Sequence, residues 1–282
     1  MFAAHTSERS GPAAQIRLRF EPILCLREPS LTCVLVNLMS LRRRLNRWLQ
    51  GSQYHISRLN PALNREGKLL VDVNIEHFLA KELADSEHFF FVQIGANDGV
   101  RADDSYAFIT RHRLEGIVVE PLKDMFEILR KNYSDQPQVT KINKAIHATA
   151  KAMTIYRIEN DANVPDWCHG IASFDKNHLI GGAKKVPNLE SYIIEESVDC
   201  VSLGELFEDN NTTQISFLQI DTEGYDFEII KMIDFTQYRP RIIRYECSTL
   251  SEEDNRGCIE LLFQQGYKFY DEGNDLIAIL SD

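Results

Sequence analysis

Cysteine pairs at metal-finger or redox spacing are missing from this chain of 282 residues. The six cysteines (25, 33, 168, 200, 247 and 258) form no CxxC, which removes zinc-ribbon and thioredoxin-type readings. Cys200 and Cys247 sit in apolar runs, where a free thiol acts as a small hydrophobe; this predicts a reducing, cytoplasmic setting. Membrane-spanning length is missing too. The N-terminal apolar run LTCVLVNLMSL (31–41) has eleven residues, against about 20 for a bilayer. It also lies late and lacks a small-residue cleavage site for a secretory signal. Basic charge is scarce: 31 Lys and Arg face 42 Asp and Glu, a net charge of −11. Nucleic-acid binding needs clustered Lys and Arg, so no nucleic-acid partner is expected.

What is present is an α/β pattern that begins near residue 86. Residues 89–100 read FFFVQIGANDGV, an apolar run broken by glycine, as in a strand buried on both faces. A glycine-framed turn follows, Gly95-Ala96-Asn97-Asp98-Gly99, and then a helical pattern over 102–113. Strand, glycine turn and helix open a nucleotide-binding fold. The glycines let backbone N–H groups approach a ligand. The spelling departs from GxGxxG, and a carboxylate at Asp98 would repel a pyrophosphate. It would suit a ligand carrying an ammonium and a sulfonium, which describes S-adenosylmethionine. The next strand, GIVVEP, ends at Glu120 and Pro121, 25 residues after Gly95. An acidic residue near that spacing grips ribose hydroxyls; otherwise Glu120 is a solvated strand-end charge.

Further strands are expected at 138–142, ending at Asn143, and at 151–159, 197–201, 215–220 and 241–246. Asn143 either meets an adenine edge or merely occupies a turn. The strand at 215–220 runs into Asp221-Thr222-Glu223-Gly224, which a doubly wound sheet would place beside the glycine turn. Asp221 is the first choice for a general base, with Glu223, Glu246 and His169 behind it. The competing reading has Asp221 and Glu223 only holding their loop. No full metal-ligand set is visible, so no metal is expected. The terminal stretch 267–280 reads as a β-hairpin turning at Gly273-Asn274.

Residues 91–99, Val119-Glu120-Pro121, KINKAI with Asn143 and Ala145, and LQIDTEGYDFEII (218–230) resemble the motifs of FkbM-type methyltransferases, in order, over roughly 89–271. The resemblance implies a class I, S-adenosylmethionine-dependent O-methyltransferase acting on a hydroxyl of a sugar, glycan or natural product. It implies a Rossmann-like, doubly wound seven-stranded sheet with a C-terminal antiparallel β-hairpin. Residues 95–99, Glu120, Pro121, Asn143 and Asp221 would then hold the cofactor. Two positions depart from the family: Gln93 stands where Asp is usual, and Gln219 where Lys is frequent. A nicotinamide-dependent oxidoreductase and a non-catalytic interaction protein are the competing readings.

The expected organisation is an extension (1–38), with Met39 as an alternative start, then a helical segment (39–85) and a catalytic domain (86–282). Within the helical segment, LRRRLNRWLQ (41–50) sets apolar residues against four arginines. Such a helix packs on a core or touches an anionic membrane surface. NIEHFLAKELA (74–84) reads as a second amphipathic helix. The stretch 160–190 has no clear periodicity and reads as a lid or insertion, hinged at Gly181-Gly182, with His169, Ser173 and His178 on its acceptor side.

Overall fold

The computed structural model describes residues 74–281, apart from 102, 161, 166, 167, 184 and 185. The extension, the Met39 start and the basic helix at 41–50 lie outside the described residues. Of the helical segment only its end is described: α1 (Ile75–Asp85), whose first turn is closed by Asn74 Oδ1 accepting from the Glu76 N–H at 2.8 Å.

A seven-stranded sheet forms the centre, in the order β10-β11-β9-β8-β1-β2-β3. Its strands are β1 (Phe90–Ile94), β2 (Glu115–Val119), β3 (Val139–Ile142), β8 (Phe217–Ile220), β9 (Ile242–Glu246), β10 (Tyr267–Asp271) and β11 (Asp275–Leu280). The strands from β9 to β3 run parallel, and β11 enters antiparallel to β9. β1 and β8, at the centre, are buried on both faces, which explains their unbroken apolar runs. On one face Phe91, Val118, Phe217 and Ile277 pack against α1, α2 (Tyr106–His112) and α3 (Lys123–Asn132). On the other, Val92, Ile94, Leu218 and Ile243 pack against α5 (Leu203–Asp209), α6 (Asp226–Lys231) and α7 (Glu252–Gln264).

α2 starts at Tyr106, four residues later than its periodicity predicts. The Asp103 carboxylate accepts from the N–H and hydroxyl of Ser105; this local bonding holds a turn where a helix would otherwise begin. The C-terminal hairpin forms as expected, with Gly273 at φ 98° in its turn.

A second sheet takes up the strands expected at 151–159 and 197–201, which the sequence did not separate from the first. β4 (Ala145–Ile146), β7 (Ile193–Val201), β5 (Ala152–Ile158) and β6 (Ala172–Ser173) associate in that order. β5 and β7 pair antiparallel along seven residues of register, from Ala152–Asp199 to Ile158–Ile193. Arg157 pins this sheet to α3: its guanidinium donates to both oxygens of Asp124 at 2.7 and 2.8 Å and to Glu196 at 3.2 Å. The stretch 160–190, read as a lid or insertion without clear periodicity, carries β6 and α4 (Lys176–Ala183). Gly181 and Gly182 lie inside α4 and are therefore not a hinge between elements.

Candidate active site

The carboxyl ends of β1, β2 and β8 open on a cavity of about 300 Å³, the place where parallel α/β sheets bind ligands. The turn after β1 forms its floor. Gly95 has φ 78°, and a Cβ there would lie 1.8 Å from the Asp221 carbonyl oxygen, so only glycine lets the ends of β1 and β8 close together. Gly95, Ala96 and Asn97 line the cavity. Asp98 and Gly99 do not. The Asp98 carboxylate turns back and accepts from the N–H groups of Val100 and Arg101 at 2.9 and 2.7 Å. The expected confrontation between Asp98 and a ligand is therefore corrected: this carboxylate is spent on closing its own loop. Gly99 instead packs under the Tyr133 ring, 2.8 Å from where its Cβ would stand.

Glu120 lines the cavity from the end of β2, with Pro121 beside it. Its two carboxylate oxygens each accept one backbone N–H at 2.8 Å, from Asn97 and from Leu122, so it ties the glycine turn to the second strand. Only 5% of the residue is exposed. Burial pushes its pKa up to about 7, against those two hydrogen bonds and the charge of Arg157. A carboxylate offers about four lone-pair sites, so two remain after these bonds.

Asn143 does not reach the cavity. Its Nδ2 donates to the carbonyl oxygens of Glu120 and Pro121 at 2.8 and 2.9 Å, so the amide expected at an adenine edge fixes the end of β2 instead. Lys144, Ala145 and Ile146, the next residues, line the cavity in its place. Two wall residues that composition gives no reason to single out, Phe174 and Tyr225, meet edge-to-face at 5.1 Å. They lie 51 positions apart in the chain, and only the closure of the second sheet over the first brings them together.

Asp221 and Glu223 stand at the end of β8 and line the same cavity. The loop is held in a strained form: Glu223 has φ 51° and Gly224 φ 98°. Strain of this kind persists where neighbours over-determine it. Thr222 donates its N–H and hydroxyl to Asp226, and Ser173 donates its hydroxyl to the Glu223 carbonyl at 2.8 Å. His178 Nε2 lies 3.3 Å from a Glu223 carboxylate oxygen, and this contact raises the imidazole pKa. Ligand oxygens of Asp221, Glu223 and Glu246 come within 4.8 Å of one another, close enough for one cation to touch all three. Burial, with the charges of Glu246 and Glu223, raises the Asp221 carboxyl well above its ordinary value; burial and Glu223 raise Glu246. Like charges this close resist simultaneous ionisation. Glu246 accepts from the hydroxyls of Ser248 and Thr249, both at 2.9 Å, and faces a separate cavity.

The segment over the site is latched by two further hydrogen bonds. Asn97 Nδ2 donates to the Gly170 carbonyl at 3.3 Å, Arg101 to the His169 carbonyl at 2.9 Å, and His169 itself lines the cavity. Gln93 and Gln219 face each other in register on β1 and β8. Both are almost fully buried, both line the cavity, and neither side-chain oxygen has a hydrogen-bond partner among the described residues. The Gln93 amide nitrogen donates to Asp103 at 3.2 Å, which fixes which end of the amide is the oxygen. Two buried acceptors without donors at a cavity wall are an uncommon feature.

A parallel sheet of this order, closed at one edge by an antiparallel C-terminal hairpin, with a glycine turn and an acidic strand end framing its cavity, is the Rossmann-like plan of class I methyltransferases. The chain belongs to the FkbM methyltransferase family: the model of the methyltransferase FkbM domain matches residues 93–269. Among solved structures, the N-terminal domain of human METTL16 in complex with SAH is similar at 12% identity, covering 86% of this chain and 82% of that one, with a TM-score of 0.39. Methyltransferase FkbM from Methylobacillus flagellatus KT shares 12% identity over 68% of this chain and 43% of that one, TM-score 0.42. A putative caffeoyl-CoA O-methyltransferase from Staphylococcus aureus shares 13% identity over 88% and 100%, TM-score 0.40. No curated protein matches the sequence.

Proposed function

We propose that the chain is an S-adenosylmethionine-dependent O-methyltransferase whose acceptor is a hydroxyl of a sugar, glycan or natural product. The observation that carries this reading is the cavity wall itself. Glu120, Asp103, Asp221 and Glu223 outnumber the cations Arg101 and Lys144 there. A pyrophosphate is a poor fit to such a wall. A ligand with an ammonium, a sulfonium, a ribose diol and a flat base fits each part of it. The unused lone pairs of Glu120 would accept from the diol, the wall's carboxylates would attract the ammonium, and Ile146, Ile155 and Phe174 would flank the base.

When bound, the cofactor supplies a methyl group on a positive sulfur, so the carbon–oxygen bond forms as the carbon–sulfur bond breaks and the sulfur leaves neutral. The chain's part is to align the acceptor oxygen and to take its proton. Asp221 would take the proton when ionised: burial and the neighbouring carboxylates raise its pKa, which makes the ionised form a stronger base than an exposed aspartate and a scarcer one near neutrality. Glu223 and the Ser173 and His178 contacts hold the loop that carries it. His169, on the covering segment, helps exclude water.

Calorimetric titration with S-adenosylhomocysteine tests the reading. Wild-type protein binds it, and Glu120→Gln, which must turn an amide N–H toward one of the two backbone donors, loses about tenfold or more in affinity. Binding of NAD(H) with none of S-adenosylhomocysteine would reverse the assignment.

A further inference from the structure

A second cavity, of about 540 Å³, is not used by the cofactor-side argument. Its wall combines β9 and the residues after it (Glu246, Ser248, Thr249) with the covering segment (Asn177, His178, Leu179). Ile171 and Glu223 line both cavities, so the two meet at the loop that carries Asp221. We infer that this second cavity is the acceptor site, and that it takes an amphiphilic acceptor with an uncharged hydroxylated head and an apolar body. The inference rests on the methyltransferase reading above and adds to it a place and a charge rule for the acceptor.

The chemistry of the wall sets the class. Its polar side consists of the carboxylates of Glu223 and Glu246, the hydroxyls of Ser248 and Thr249, and Asn177. These accept hydrogen bonds from hydroxyl groups, and a carboxylate accepts from two neighbouring ones. No lysine or arginine is among the described residues of the wall. A phosphate or carboxylate on the acceptor would therefore meet no cation but His178, which Glu223 already engages. The wall also carries the apolar side chains of Ile158, Ile171, Leu179 and Leu189, which suit a hydrocarbon chain or ring. Because α4 supplies Asn177, His178 and Leu179 together, the acceptor preference is built into the covering segment rather than into the sheet.

The test uses full-length protein saturated with S-adenosylhomocysteine and ligand-observed NMR titration of two probes below their micelle concentrations. One is octyl β-D-glucoside; the other is octyl β-D-glucuronide, the same body with a carboxylate. The inference expects the glucoside to bind about tenfold or more tightly than the glucuronide. Asn177→Trp, an exposed position at the wall, and Leu179→Trp, a buried one, should each weaken the glucoside by a similar factor while S-adenosylhomocysteine binding is retained. Equal binding of the two probes, no glucoside binding to cofactor-loaded protein, or glucoside binding that survives both substitutions overturns the inference. Absence of S-adenosylhomocysteine binding in the same samples would instead bring down the functional reading beneath it.

Discussion

Glu120 is a brace in the structure and, under the proposed function, would also hold the ribose. Its oxygens brace the glycine turn through Asn97 and Leu122, and its elevated pKa of about 7 makes its charge variable near neutrality. If the ionised form accepts the ribose hydroxyls, S-adenosylhomocysteine affinity rises between pH 6 and pH 8, and Glu120→Gln flattens that profile; calorimetry across the range reads it. The charges facing Glu120 are Arg157 and Asp124, whose pairing is intact over this range. Asp221→Asn lowers kcat by about 10²–10⁴ with S-adenosylhomocysteine affinity nearly kept; a parallel loss of affinity and stability would mean that Asp221 only supports its loop. Gly95→Ala places a methyl against the Asp221 carbonyl at a positive φ and destabilises by more than about 1 kcal/mol in denaturant unfolding. Gly95 and Glu120 were legible because strand ends and glycine turns leave local marks. Asp98 and Asn143 were misread for a physical reason: short polar side chains satisfy neighbouring backbone groups first, and sequence does not reveal which way they turn.

At the scale of elements, the parallel strands were legible because burial on both faces writes an unbroken apolar run, and the terminal hairpin because Gly273-Asn274 suits a tight turn. Strands β5 and β7 were legible as well, but their pairing into a second sheet was not, since they meet across some forty positions of chain. α4 escaped notice because KNHLIGGA carries two glycines, each costing about 1 kcal/mol relative to alanine, so tertiary contacts rather than propensity hold it. One such contact joins His178 to Glu223, and Asn97 and Arg101 hold the chain ahead of α4 at Gly170 and His169, so the covering segment is tied to the cavity at the end of β1. Ligand binding should therefore slow amide exchange in 168–183 more than in the distant hairpin 267–280; uniform slowing would contradict the coupling.

The whole molecule carries its buried acids at a cost. Burial raises Glu120 to about 7 and Asp226 to about 6, and also raises Asp221, Glu246, Glu272 and Asp275. A carboxyl whose folded pKa exceeds its unfolded value keeps a proton that the unfolded chain has released. Its contribution is present below the ordinary carboxylate range and is lost as pH rises through the folded value. Asp124 runs the other way, but its window lies below the ordinary value. The ligand-free protein should thus melt lower at pH 8 than at pH 6, Glu120 alone supplying on the order of 1–3 kcal/mol; a higher melting point at pH 8 would contradict this burial pattern. The central claim, that the cavity after β1, β2 and β8 is an S-adenosylmethionine site, is tested most directly by thermal unfolding with S-adenosylmethionine, S-adenosylhomocysteine and NAD(H) in parallel. At about 100 times its dissociation constant a ligand stabilises by roughly 2.7 kcal/mol, an upward shift on the order of 5–10 °C for a domain of this size. The account predicts that shift with both sulfur ligands and none with NAD(H); a shift with NAD(H) alone, or with none of the three, would contradict it.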